Sequence, residues 1–255
     1  MLTDPVNRQG IDDALLAEIA RAIERDGYVV LPNFLSDECI QMLQGECEEA
    51  RRRQFESQNP GLSEAGRLFA PNIHRRQPAL RDYLFSDAIA ALCAAALGSS
   101  VYFFLDQMIV QPPDGGLSLS WHQDSGYVVA NGGPPDHAPY LSIWAALDPV
   151  SRRSGTLIVQ PGSHRDGIRD HQRYGAGAEF VIADGPEGIA VEMDAGGIVL
   201  FSSLLLHATS PNHASRPRRA YLAQFTSEVM LTPGTLQLRH NAVQVVRDGQ
   251  ACMVA

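Results

Sequence analysis

The 255-residue sequence predicts an α+β fold whose β portion closes as a barrel or a double-sheet jelly roll. Three observations lead there. Helical periodicity dominates the first hundred residues, the apolar period falls to two after Gly98, and Gly/Pro-rich turns separate the short strand-like runs that follow.

The first element is a helix in which Leu15, Ile19 and Ile23 repeat on one face, with Leu16 and Ala20 beside them and Gly27 as its stop. Tyr28 to Leu31 is a short apolar run closed by Pro32 and reads as a strand. Ser36 caps a second helix with Ile40, Leu43 and Cys47 inward, and Arg51-Arg52-Arg53 near its end suits a helix C-terminus. Ser86 caps a third, Ala88 to Leu97, that ends at Gly98. Strand-like runs follow at Val101 to Val110, Leu141 to Leu147, Thr156 to Val159, Ile189 to Met193, Ile198 to Phe201 and Tyr221 to Phe225. Turn chemistry divides them at Pro112-Pro113-Asp114-Gly115-Gly116, Gly132-Gly133-Pro134-Pro135, Pro161-Gly162 and Gly196-Gly197. No repeat or linker divides the chain. We expect one domain over 1–255: a mostly helical part at 1–98, the jelly-roll core at 99–230 and a C-terminal extension at 231–255. Residues 163–188, together with 55–78, are long enough to cover a barrel mouth.

Composition closes several classes. Hydrophobic residues make up 45% of the chain, which excludes intrinsic disorder. A formal charge of -9 disfavours nucleic acid and anionic membrane surfaces, and it favours a small free metabolite over a bulky polyanion. All 20 basic residues are arginine. Without lysine there is no Schiff base, no covalent pyridoxal phosphate and no Walker-type loop. The cysteines Cys39, Cys47, Cys93 and Cys252 form no metal-binding spacing, and the expectation is reduced thiols in a soluble cytoplasmic protein, monomeric or homodimeric, without a leader or membrane span.

Histidine placement carries the chemistry. Eight histidines among 29 acidic residues give about one His-x-Asp/Glu by chance, and this chain has two, His122-Gln123-Asp124 and His164-Arg165-Asp166. Context favours the first. It follows a turn and enters a strand-like run, where residues two apart face the same side and can grip one ion. His164 lies in a Pro-Gly turn, where capping of local backbone groups is the simpler role. His207 follows an apolar run and supplies a third ligand. Two histidines and a carboxylate on one face of a metal leave positions open, the arrangement of non-haem Fe(II) oxygenases. Arg218 follows eleven residues later, a fixed fork for a carboxylate, although Arg216 or Arg219 could take that part.

With these residues the sequence resembles the phytanoyl-CoA dioxygenase family of Fe(II)/2-oxoglutarate-dependent oxygenases along nearly all of its length. The likeness runs through Asp26-Gly27-Tyr28-Val29-Val30-Leu31, His122-Gln123-Asp124, Trp144-Ala145-Ala146-Leu147-Asp148, Ser154-Gly155-Thr156-Leu157, Pro161-Gly162-Ser163-His164, and His207 with Pro211-Asn212 and Arg218. The resemblance implies a double-stranded β-helix (jelly roll, cupin-like) core with flanking N-terminal helices. It implies His122, Asp124 and His207 as Fe(II) ligands, with 2-oxoglutarate and O₂ as cosubstrates. Arg218 would hold the distal carboxylate of 2-oxoglutarate beside Thr209, with Trp144 and Gln107 lining the same pocket; ordinary core packing is the alternative for Trp144. Ser154 stands where the family usually has Asn, a change that concerns a turn. The family's assisting lysine is missing, and His74 or Arg75 could substitute. Tyr127, His74 and Arg75 are the candidates near the substrate.

The expected activity is hydroxylation of a C–H bond in a small metabolite with release of succinate and CO₂. Desaturation, epimerisation or ring formation would use the same cofactors. The rivals from other classes are a non-redox cupin-like metalloprotein using Zn²⁺ as a Lewis acid, and a silent binding protein.

Overall fold

The computed structural model describes residues 5–6, 11–56, 68–113, 118–174, 179–182 and 185–252. Five helices occur among them: α1 (Asp13–Asp26), α2 (Asp37–Glu56), α3 (Ala79–Leu84), α4 (Asp87–Leu97) and α5 (Asp124–Ala130). The two caps read from the sequence, Ser36 and Ser86, are in place, and Asp12 caps α1 as well. Asp12 accepts from Leu15 N–H at 2.8 Å, Ser36 from Cys39 N–H at 3.2 Å and Ser86 from Ile89 N–H at 3.3 Å. Each such cap is worth about 1 kcal/mol of helix stability. Gly27 ends α1 at φ 80°, and a Cβ there would meet the His164 ring at 2.5 Å. Both the backbone and the close ring exclude any larger residue. No helix among the described residues is long and apolar enough to cross a membrane.

Thirteen strands follow the chain among the described residues: β1 (Tyr28–Leu31), β2 (Leu68–Pro71), β3 (Val101–Gln111), β4 (Leu141–Ala146), β5 (Leu157–Val159), β6 (Gln172–Tyr174), β7 (Glu179–Val181), β8 (Ile189–Ala190), β9 (Ile198–Ser202), β10 (His207–Thr209), β11 (Arg218–Thr226), β12 (Val243–Arg247) and β13 (Gln250–Ala251). The major sheet runs β1-β9-β4-β11-β3-β12-β13, with β2 also on β3; the minor sheet runs β10-β5-β8. Every pairing is antiparallel. The two sheets and the outer helices form the jelly-roll core expected from the sequence. The C-terminal extension is part of it, since β12 joins the major sheet through Val243 opposite Phe103.

Alternation along the major sheet separates two environments. Ile143, Ala145, Ile198, Leu200, Tyr221, Ala223 and Met108 face the helices and pack with Leu43, Leu80 and Ile89. Trp144, Ala146, Val199, Phe201, Ala220, Leu222 and Ile109 face the minor sheet and pack with Leu157, Val159 and Leu205. The register between β11 and β3 slips once, from Gln224 opposite Leu105 to Phe225 opposite Phe103. Phe104 is the extra residue of that bulge. It lies beside Leu105 in a third small cluster with Val128, Tyr140 and Met230.

The structure adds α3, β10, β12 and β13, which the sequence reading lacks, and it differs from that reading at four of the stretches named there. Residues after His122 form α5 rather than a strand. The run at 189–193 keeps two strand residues. The 163–188 connection carries a 3-10 turn, Ser163–Asp166, and the β6–β7 hairpin, while 175–178 and 183–184 lie outside the described residues. The 55–78 connection ends in β2 and a 3-10 turn, Ile73–Arg75, with 57–67 outside the described residues.

On the helix-facing side, Asp106 is fully buried. Its carboxylate accepts from His74 N–H at 3.0 Å and Tyr221 O–H at 2.9 Å, and it lies 2.5 Å from His74 Nδ1. Removing the carboxylate leaves three buried partners unanswered. We expect Asp106→Ala to lose about 3 kcal/mol or more in urea denaturation, and Asp106→Asn to lose less.

Candidate metal centre

His122 and His207 are joined through their backbones before their side chains meet. They form an isolated antiparallel bridge, with His122 N–H donating to His207 C=O at 2.9 Å and His207 N–H donating back at 3.0 Å. The His122 Nδ1–H donates to Ser120 C=O at 2.7 Å, and that of His207 to Leu205 C=O at 2.9 Å. With Nδ1 as donor in both rings, each Nε2 lone pair is left for a ligand. Asp124 is the first residue of α5, and extended backbone at Gln123 (φ -120°, ψ 138°) turns its carboxylate back toward the two rings. Its Oδ1 lies 3.9 Å from His122 Nε2 and 3.7 Å from His207 Nε2. The shared direction read as strand alternation therefore comes from a bridge followed by a helix start.

The second carboxylate oxygen is held elsewhere. Asp124 Oδ2 accepts from Ser142 O–H at 2.6 Å and Gln224 Nε2–H at 3.0 Å. One oxygen is thus oriented by the major sheet and the other is offered to the imidazoles. One ligand atom from each of the three residues lies within 4.8 Å of the others. That spacing suits a single ion with bonds of about 2.0–2.2 Å. Two neutral imidazoles and one carboxylate fit a divalent first-row metal with positions left open, Fe(II) included. Gln123, fully buried, donates to Gly167 C=O and Leu204 C=O and accepts from Arg169 N–H, while its own N–H donates to His171 Nε2 at 2.9 Å. These contacts fasten the 167–171 stretch to the residue between two candidate ligands.

The three residues open into a cavity of about 710 Å³. Gln107, Tyr127, Trp144, Thr209 and Arg218, all named from the sequence, line it. Register explains why: Arg218 lies opposite Gln111, Leu222 opposite both Gln107 and Trp144, and Gln224 opposite Leu105 and Ser142, all on the inner face. Arg218 is 3% exposed. Its Nε–H donates to Gly155 C=O at 2.9 Å and Nη2–H to Gln111 Oε1 at 2.6 Å, with Cζ 5.5 Å from the Trp144 ring centroid. Gly155 has φ +82°, and a Cβ there would meet Gln111 Oε1 at 2.3 Å. The Ser-Gly-Thr motif thus serves the guanidinium, and Ser154 serves its turn by accepting from Ser151 N–H at 2.9 Å.

The neighbouring arginines differ. Arg219 is clamped by both Asp148 oxygens, at 2.9 and 2.6 Å, and Arg216 is exposed. His164 sets Nε2 3.1 Å from Glu24 C=O at the end of α1, so the second His-x-Asp motif is structural. The suggestions of His74 and Arg75 as substrate contacts are corrected. His74 is buried against Asp106, and exposed Arg75 donates to Asn241 Oδ1 at 2.7 Å; neither lines the cavity. Sequence reading missed Gln111, Ser142, Gln224, Arg239 and His240. For the first three, period-two spacing with Gln107, Trp144 and Arg218 respectively was the available signal.

Residues 23–220 match the model of the family described as Phytanoyl-CoA dioxygenase (PhyH). The ectoine dioxygenase of Bordetella bronchiseptica is 27% identical over 246 residues, covering 87% of this chain and 79% of that protein. The peroxisomal phytanoyl-CoA dioxygenase of Rattus norvegicus is 24% identical over 245 residues, covering 85% and 70%. Among solved structures, EvdO2 from Micromonospora carbonacea var. aurantiaca complexed with 2-oxoglutarate superposes with a TM-score of 0.70 at 22% identity, covering 91% of this chain and 97% of that one.

Two outcomes are expected at this centre. Anaerobic titration with Fe(II) gives one metal per chain for wild type and His164→Ala, and at least about a tenfold loss of affinity for His122→Ala and His207→Ala. Wild-type binding in both ligand variants would refute the assignment. The second concerns pH. Burial first, then the charge of His207, holds the His122 imidazole well below its ordinary value, and burial also lowers His171 and His240, the last to about 4. In the unfolded chain these rings take protons near about 6.5. Metal-free protein therefore loses stability as pH falls below that value, and His122→Gln flattens the slope of melting temperature between pH 7.5 and 5.5.

Proposed function

The chain belongs to the phytanoyl-CoA dioxygenase family, and from that premise we propose that this Fe(II)- and 2-oxoglutarate-dependent enzyme hydroxylates a C–H bond of a small metabolite, with His122, Asp124 and His207 holding the metal. The observation that carries the reading is the pairing of this triad with buried Arg218 in one cavity. A Lewis-acid metalloprotein does not in itself need a buried carboxylate clamp beside its metal. When bound, Fe(II) supplies the redox chemistry by which O₂ converts 2-oxoglutarate to succinate and CO₂ and the substrate C–H to C–OH.

The chain's own residues supply binding, orientation and exclusion of water. Arg218 receives the distal carboxylate of 2-oxoglutarate, its fork already set by Gly155 and Gln111. Thr209, whose Oγ1 accepts from Leu119 N–H at 2.7 Å, turns its hydroxyl proton toward the same molecule. Trp144 forms a wall against the guanidinium, and Gln107 faces the cosubstrate from β3. Ser142 and Gln224 keep the Asp124 carboxylate from rotating. Tyr127, with its ring 5.3 Å from that of His122 at near-perpendicular orientation, bounds the side open to substrate. The substrate is a free small molecule, as for the relative named for ectoine. The setting is cytoplasmic, which suits the free cysteines Cys39, Cys47, Cys93 and Cys252, and the protein works as a monomer or homodimer.

Arg218→Gln tests the clamp. It raises the 2-oxoglutarate KM by about 30-fold or more, the low end of the roughly 2–5 kcal/mol lost when a buried charged pair is cut. Arg216→Gln leaves it near wild type. Arg219→Gln lowers the melting temperature through Asp148 while the KM moves little. A larger KM effect at Arg219 than at Arg218 would displace the assignment. The metal centre has a full set of three protein ligands, so turnover in high chloride yields no chlorinated product by mass spectrometry.

A further inference from the structure

His171 stands outside the triad and has no task in the chemistry proposed for it. It lies half-buried in the 163–188 connection, beside the segment that carries two of the three ligands. Four backbone N–H groups from His122 to Gly126 are answered there. His122 donates to His207 C=O, Ser125 to Ser203 C=O at 3.0 Å, Gly126 to Gln123 C=O at 2.9 Å, and Gln123 to His171 Nε2 at 2.9 Å. Only the last acceptor is a side chain. His171 Nδ1–H donates to Arg169 C=O at 2.7 Å, so the tautomer that leaves Nε2 as an acceptor is set within the connection itself. On the other side of His122, Ile182 N–H donates to Trp121 C=O at 2.7 Å. The connection therefore holds the ligand segment both before and after His122.

Gly126 carries the imprint of this ring. It lies in the first turn of α5 and has an ordinary helical backbone, without positive φ. Alanine would be the better helix former at such a position. A Cβ on Gly126, however, would meet His171 Cε1 at 2.1 Å and Nε2 at 2.2 Å. The imidazole, and not the helix, requires the glycine. α5 has seven residues, and the side chain of its N-cap, Gln123, is spent on Gly167, Leu204 and Arg169 instead of on the helix. A helix this short does not hold its own first turn; contacts from outside must. The first residue of that turn is Asp124.

We propose that His171 is a positioning residue for the metal centre: seated over Gly126 and accepting the Gln123 N–H, it sets the direction in which the chain leaves His122 and so the approach of the Asp124 carboxylate to the two imidazoles. The inference rests on the reading of His122, Asp124 and His207 as ligands, and it adds a residue that never touches the ion. Ser142 and Gln224 hold the far oxygen of Asp124, whereas His171 holds the backbone that carries it. Gln123 is fully buried, so its N–H has no water to turn to when the imidazole is removed. The peptide then rotates toward another acceptor, and the ligand two atoms further on moves with it.

The test titrates full-length metal-free protein anaerobically with Fe(II), then with 2-oxoglutarate while the visible band is recorded. His171→Ala lowers Fe(II) affinity about tenfold and shifts the band. His171→Gln, whose Oε1 reaches the place of Nε2, brings affinity back to within about threefold of wild type and restores the band. Gly126→Ala keeps the imidazole in the chain but displaces it, and it reproduces His171→Ala. In the double variant the ring is gone and the new methyl group has room. Its affinity therefore equals that of His171→Ala, where independent losses would multiply to about a hundredfold. Multiplied losses overturn the proposal. So does a lowered melting temperature with wild-type affinity and band in both single variants, the mark of a residue that only steadies the fold. Should wild type bind no Fe(II), the assignment of the centre itself fails. If wild type and both single variants bind alike, the centre stands and His171 has no part in it.

Discussion

The reciprocal backbone pair between His122 and His207 is the constraint on which the centre depends. The two residues are 85 positions apart, and each comes from a segment too short to fix a side chain alone. Exchanging both N–H···O=C bonds sets their separation and orientation at once. The Nδ1 contacts to Ser120 and Leu205 then fix ring rotation and tautomer together. Asp124 completes the set without belonging to either strand, because α5 begins there and Ser142 with Gln224 hold one of its oxygens. Donors arranged this way are organised before any ion arrives, so little rearrangement is asked of the ion.

Around that pair the major sheet divides its two faces. One face buries Tyr221, Phe103 and Leu200 against the helices and holds Asp106 with His74; the other carries Trp144, Leu222, Gln224 and Arg218 into the cavity. Adjacent residues on one strand therefore serve unrelated ends, as Arg218 and Arg219 do. The first is buried against Gly155 and Gln111, the second is bound to Asp148. A shift of one residue in β11 would exchange them.

Much of this was legible where the signal is local. Caps at Ser36 and Ser86, the stop at Gly27 and the period-two runs are written within a few residues, and they are where the elements begin and end. The triad was readable because motif spacing and order along the chain survive without geometry. What failed was non-local. Asp124 to Ala130 contains Gly126, Val128 and Val129, poor helix formers, yet α5 forms because Gln123 ties its entry and Arg239 its last carbonyls. His74 looked available for substrate, and Asp106, 32 residues away, explains its burial. Arg239 meets Val128 and Asn131, both more than a hundred positions before it, and no window of sequence contains that.

The bulge at Phe104 sets a small cluster of Phe104, Val128, Tyr140 and Met230 apart from the two larger cores. Phe104, Val128 and Tyr140 line the cavity, and none of the four belongs to either larger core. Volume-conserving substitutions in that corner reshape the cavity at modest cost to folding, and they leave the residues that offer donors to the ion unchanged. Such a layout lets a lineage exchange one substrate for another by neutral drift in a few positions while its oxidative chemistry is inherited unchanged.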